Sequence, residues 1–150
     1  MLWSGGAFAV SPQCVSGDYI LAVDEFKGFT GKRMMQWRVK EGETFLWRFT
    51  HSITLTPVES RYRVEKGEII QTMEVFETHG YGLPSNTDDI GVKEWQTKDG
   101  KYFLSMKRRV SPLIFRISTE YKSRLYVKGS EYLLKNYDGK ALKVSVMCDM

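Results

Sequence analysis

The sequence predicts an all-β fold: a single antiparallel β-sandwich, or a closed barrel-like sandwich, of about ten strands. Two observations carry this expectation: apolar residues that recur two apart, and glycine-containing turn dipeptides between those runs. A third is that no convincing amphipathic helix pattern appears. Successive side chains of a strand point to opposite sides of a sheet, so a period of two marks a half-buried strand. Phe45, Trp47 and Phe49 share one face in this way, as do Met35, Trp37 and Val39. Leu113, Phe115 and Ile117 repeat the pattern, and so do Leu142, Val144 and Val146. Polar residues such as Gln36, Arg38, Arg116, Lys143 and Ser145 fall between them. One buried face and one wet face favour antiparallel pairing.

Taken in order, strands are expected near 18–26, 32–40, 43–52, 57–64, 68–77, 91–97, 101–107, 112–119, 124–128, 131–135 and 140–147. Glu41-Gly42, Lys66-Gly67, Asp99-Gly100, Lys128-Gly129 and Asp138-Gly139 punctuate them. Glycine supplies the positive φ of tight hairpins, and Asp-Gly is among the strongest hairpin dipeptides. A sandwich is the favoured closure. Residues 78–90, THGYGLPSNTDDI, break the rhythm with glycines, a proline and paired aspartates. Loops of this length inside compact domains are often functional, the alternative being a plain hairpin tip.

A chain of 150 residues fits one domain, residues 1–150, with no linker, repeat or low-complexity tract. Its 42% hydrophobic and 13% aromatic content is enough for a core and excludes compositional disorder. The net charge of +4, from interspersed residues, indicates solubility more than a nucleic-acid partner. No apolar run is long enough to span a bilayer as a helix. Met1–Val10 is apolar but lacks the charged start and hydrophobic length of a secretion signal. Residues 1–15 therefore read either as the remnant of a signal or anchor or as a short disordered tail. Cys14 and Cys148 lie in neither metal-ligand nor redox-motif spacing. A disulfide in an oxidising compartment and two unrelated thiols both remain open, because bridging depends on Cα separation and Cβ direction.

His51 and Ser52 end one expected strand, and Pro57 opens the next. Glu59 lies two residues into the returning strand, so a hairpin could set it opposite His51. A carboxylate there would fix the imidazole tautomer. Gly80 and Gly82 would allow close backbone approach to a neighbour or ligand. The bland reading of His51, Ser52 and Glu59 is a polar cluster that satisfies a hairpin end; the sharper one is a recognition site beside an irregular loop. Direct proton transfer between His51 and Ser52 is disfavoured, since adjacent strand residues face opposite ways. A metal site built from His51, Glu59 and His79, or from Asp88 and Asp89, lacks the ligand spacing of zinc or calcium motifs. Lys107-Arg108-Arg109 invites a single-strand nucleic-acid reading, but Trp37, Trp47, Phe49 and Phe115 fall on apolar strand faces as core residues.

Trp47-Arg48-Phe49-Thr50-His51-Ser52, Thr56-Pro57-Val58-Glu59, and Phe76 leading to Gly80-Tyr81-Gly82-Leu83-Pro84 occur in order. This combination resembles the bacterial and archaeal family catalogued as domain of unknown function 1850. The likeness extends less sharply through Met106, Arg108 and Pro112 to Arg116. Tyr81, between the two glycines, and His79 depart from the family's usual pattern. The resemblance implies association with TAXI-type TRAP solute transporters and a location outside the cytoplasm, secreted or membrane-anchored. It also places Arg108 or Arg109 and Arg116 in a positive patch near the motif, suited to a carboxylate or an acidic protein surface. The expectation is thus a non-enzymatic extracytoplasmic binding or accessory domain, with no cofactor, no metal and no nucleic acid. Its expected binding residues are His51, Ser52, Glu59, Gly80, Gly82, Leu83, Pro84 and Arg108. Its expected partner is a TAXI-type transporter component or a small carboxylate ligand. The alternatives are a small hydrolase or metal-dependent enzyme at the His51/Glu59 cluster, and a β-barrel that binds single-stranded nucleic acid.

Overall fold

Period-two runs separated by glycine turns form strands wherever the sequence expects them. The computed structural model describes residues 14, 17–28, 31–77 and 92–149. The strands are β1 (Asp18–Glu25), β2 (Arg33–Lys40), β3 (Thr44–Thr50), β4 (Pro57–Glu65), β5 (Glu68–Phe76) and β6 (Val92–Lys98). They continue as β7 (Lys101–Arg109), β8 (Leu113–Arg116), β9 (Arg124–Val127), β10 (Ser130–Leu133) and β11 (Ala141–Cys148). Among the described residues the only helical pieces are two single 3-10 turns, Thr119–Tyr121 and Lys135–Tyr137. Lys66-Gly67, Asp99-Gly100 and Lys128-Gly129 each take two successive left-handed residues, with φ from 52° to 77°. That is the primed-turn pattern whose twist matches a hairpin.

The strands form two antiparallel sheets, one ordered β2-β1-β11-β8 and the other β10-β9-β3-β4-β5-β7-β6. The arrangement is a sandwich and not a closed barrel. Tyr19, Leu21 and Val23 of β1 and Leu142 and Val144 of β11 pack onto Phe45, Tyr62, Val64, Ile69, Leu125 and Val127 of the larger sheet. A second apolar cluster, Val58, Phe76, Leu104 and Met106, lies farther along that sheet. Phe115 is buried as expected, but Trp37 and Trp47 are only half-buried at the core's edge. Both rings carry an N–H, and Trp37 uses its own to reach the Tyr132 hydroxyl across the sheets at 3.2 Å.

Three strand pairs shift register at the same level of the larger sheet, and this shapes its inner surface. Arg61 pairs with Met73 and Tyr62 with Gln71, so Thr72 is an extra residue in β5. Across β7, Gln71 pairs with Arg108 while Met73 pairs with Ser105, which leaves one extra residue on the β7 side. Between β6 and β7 the pairing shifts again between Val92 and Glu94. A β-bulge reverses the alternation of side chains beyond it. Ile69 and Gln71 therefore face inward before the bulge, and Glu74 and Phe76 face inward after it; all four are buried.

The two cysteines, whose pairing the sequence leaves open, form a disulfide with Cα atoms 5.4 Å apart and a sequence separation of 134. It fastens residue 14 to the end of β11, whose neighbour is β1. Cross-linking so long a loop restricts the unfolded chain, so the Cys14→Ser/Cys148→Ser double variant should lose about 2–5 kcal/mol of stability. Urea unfolding monitored by tryptophan fluorescence measures this. A variant with an unchanged midpoint would show that the bridge contributes nothing through chain entropy.

Candidate functional site

β3 and β4 present two chemically distinct faces, and parity along each strand decides which residue joins which. Phe45, Trp47 and Phe49 of β3 face the interior; the same count carries His51, just past the strand end, to that side, where it is buried. On β4, Val58, Ser60, Tyr62 and Val64 are buried, while Glu59 and Arg61 alternate to the outside. Glu59 pairs across the ladder with Arg48, not with His51. Its carboxylate accepts hydrogen bonds from Arg48 and, at 2.6 Å, from Arg61 Nε. Burial opposes its ionisation, but the two guanidiniums outweigh burial and hold the Glu59 carboxyl below the usual range. The expected His51/Glu59 cluster is therefore not assembled, because the two residues belong to opposite faces of one hairpin.

His51 instead organises its own tight turn. Its N–H donates to the Thr56 carbonyl at 2.9 Å, and its carbonyl accepts from the Leu55 N–H at 2.9 Å. Ile53 and Thr54 N–H groups donate to the ring Nδ1 at 3.2 and 3.3 Å. An Nδ1 that accepts is unprotonated, so the neutral ring carries its proton on Nε2. Leu55 closes the turn with φ of 56°, an unusual value for a side chain of its kind.

Between the sheets, beside this turn, lies a cavity of about 460 Å³. His51, Ser52 and Arg108, three residues proposed from the sequence, line it together. Trp47, Phe49 and Phe115 give it an aromatic wall, with Trp47 centred 4.6 Å from Phe49 and 3.7 Å from Phe115. Ser60, Gln71 and Glu74, none of them singled out in the sequence, form a polar strip on the same sheet, with Ser60 paired to Trp47 across the ladder. Ser60 Oγ donates to Glu74 Oε2 at 2.7 Å, and Gln71 Nε2 donates to the same oxygen at 2.6 Å. Burial pushes the Glu74 carboxyl up to about 7, against the opposing pull of the Ser60 hydroxyl, the Arg108 charge and the Gln71 amide. Burial and the Glu74 charge likewise raise the Tyr62 phenol. Trp47 Nε1–H is buried and has no hydrogen-bond partner among the described residues. Such an orphan is uncommon in native interiors.

The basic run 107–109 is divided by the same parity. Lys107 pairs with Glu65 at 3.4 Å and Arg109 with Glu68 at 2.9 Å on the outer face, while Arg108 lines the cavity. Of the expected positive patch of Arg108 or Arg109 with Arg116, Arg108 and Arg116 line the one cavity and Arg109 turns away. Arg116 adds an exposed cation to the cavity lining. Gly80, Gly82, Leu83 and Pro84, together with His79, Asp88 and Asp89, lie outside the described residues. Among the described residues no three His, Cys, Asp or Glu side chains converge in a metal-binding arrangement.

A buried carboxyl raised from 4.5 to about 7 gives a signed expectation for stability. The folded state holds the Glu74 proton more tightly than the unfolded chain does. The resulting stability is fully present below about pH 4.5 and is lost as pH rises through about 7. Glu74→Gln, which keeps an acceptor for Ser60, should flatten this dependence and stabilise the protein at pH 8 by up to roughly 3 kcal/mol relative to its effect at pH 4. Urea titrations of both proteins at the two pH values provide the comparison. Parallel pH profiles would mean that Glu74 ionises as freely in the fold as outside it.

The model of the family described as Domain of unknown function (DUF1850) matches residues 45–134, from β3 to the residue after β10. This span contains every residue singled out above in the cavity. Searches of the curated proteins and of the solved structures return no match. With well over half its length matched by the family model, this chain belongs to the DUF1850 family.

Proposed function

We propose that this domain is a non-enzymatic binding module that takes a small carboxylate into the cavity between its sheets. The observation that carries the reading is the presence of Arg108 in the lining of an open cavity that also holds His51, Ser52 and an aromatic wall. Ligand sites commonly combine apolar walls with a few convergent polar groups, and a guanidinium suits a carboxylate through paired N–H donors. A catalytic dyad is not built from His51 and Glu59, whose carboxylate is already held by Arg48 and Arg61. The binding role is therefore preferred to hydrolysis.

The proposal extends to place and partner. A disulfide between Cys14 and Cys148 suits an oxidising, extracytoplasmic compartment. A TAXI-type TRAP transporter component is the partner implied by the family resemblance, and a binding module would serve there by presenting or sensing the transported solute. The carboxylate reading is tested by calorimetry with 3-phenylpropanoate and succinate. Saturable binding that weakens about tenfold in Arg108→Gln and falls as salt rises is the expected result. Failure to bind 3-phenylpropanoate, succinate and L-phenylalanine alike, or binding that ignores Arg108, would overturn it. So would hydrolysis of esters or peptides that disappears in His51→Ala.

A further inference from the structure

Glu74 is out of place in a site for a simple carboxylate. It is 7% exposed, lines the same cavity as Arg108, and acts electrostatically on that guanidinium. Its side chain is positioned by Ser60 and Gln71, and both of those hydrogen bonds fall on Oε2. Neither engages Oε1. A carboxyl fixed by one oxygen in a cavity wall leaves the other as an acceptor for whatever enters. A ligand that brought only negative charge would suit Arg108 but stand as a like charge beside Glu74, which opposes binding. A ligand that brought only positive charge would meet the reverse conflict at Arg108.

Resting on the carboxylate reading of the same cavity, we infer that the ligand is a small zwitterion, an α-amino acid with an apolar or aromatic side chain. Its carboxylate pairs with Arg108, and its ammonium donates to Glu74 Oε1. Its side chain lies on the wall formed by Trp47, Phe49 and Phe115. Arg108 and Glu74 offer one charge of each sign, so the carboxylate and the ammonium of a zwitterion each meet a complement, while Arg116 lies exposed in the same lining. The aromatic wall accepts an apolar side chain by offset stacking and excludes water from the charged end. Glu74 then sets specificity: it separates an amino acid from the same molecule lacking its amine. Sites built to pair a ligand N–H discriminate strongly against analogues that lack it, because the site's own group is left unpaired.

Calorimetry at pH 8 with L-phenylalanine, 3-phenylpropanoate and 2-phenylethylamine tests this directly on the full chain. L-Phenylalanine should bind at least about tenfold tighter than either analogue, the size expected for one charge-assisted hydrogen bond. In Glu74→Gln, whose folding is verified by circular dichroism, the advantage over 3-phenylpropanoate should vanish while 3-phenylpropanoate itself binds no more weakly. Arg108→Gln should weaken both carboxylates. Equal binding of L-phenylalanine and 3-phenylpropanoate to the wild type would overturn the zwitterion inference and leave the carboxylate reading standing. A preference that survived Glu74→Gln would overturn the role of Glu74. Failure of every carboxylate to bind would overturn both readings.

Discussion

Thr72 is one residue more than the β4–β5 ladder can pair, and the inner surface of the larger sheet depends on it. Without an insertion, a strand that buries Ile69 and Gln71 would bury Met73 and Val75 next and turn Glu74 and Phe76 to the other side. With it, Gln71 and Glu74, three apart in sequence, share a face and a hydrogen bond. The shifts in the neighbouring β5–β7 and β6–β7 ladders keep adjacent strands in step with this displacement. The cavity's polar strip, its buried acid and its inward arginine follow from that common dislocation.

The same parity makes two glutamates on neighbouring strands behave as chemical opposites. Glu59 faces outward into a pair of guanidiniums, which hold it ionised. Glu74 faces inward, where burial outweighs the Ser60 hydroxyl, the Arg108 charge and the Gln71 amide and raises its carboxyl. Their distance along the chain says nothing of this difference; the side of the pleat says all of it. The outer face of β4 and its neighbours is a ladder of exposed ion pairs, including Arg63 with Glu65 and Lys107 with Glu65, and such pairs each contribute little to stability. Their service is to solvate a surface whose reverse side carries the core.

Strand positions were legible because they rest on local signals: Phe45, Trp47 and Phe49 alternate visibly, and Lys66-Gly67, Asp99-Gly100 and Lys128-Gly129 take the left-handed turns that glycine permits. Ends were less legible. The third strand stops at Thr50 because the His51 ring and backbone bind the turn that follows, an interaction no periodicity reveals. His51, Ser52 and Arg108, expected from the sequence as binding residues, line one cavity. Counting positions across a hairpin sets Glu59 opposite His51, whereas parity counted from Phe49 and Val58 separates them. Glu74 is hidden from periodicity because it sits between Met73 and Val75, where unbroken alternation would place it on the same side as Thr72 and away from Gln71. Its signal was present nonetheless: an acid inside an apolar run, which a bulge alone can reconcile with a buried neighbour at Gln71.

The bridge between Cys14 and Cys148 also has a mechanical meaning. A pull applied at the two ends of the chain would travel through residue 14, across two sulfur atoms and out past β11. The strands between the two cysteines form a side branch of that covalent path. Antiparallel ladders loaded at their ends can peel or shear one hydrogen bond after another, whereas here the load bypasses them. The cavity and the larger sheet that holds it would keep their shape under tension, and would begin to yield to force only after the disulfide had been reduced.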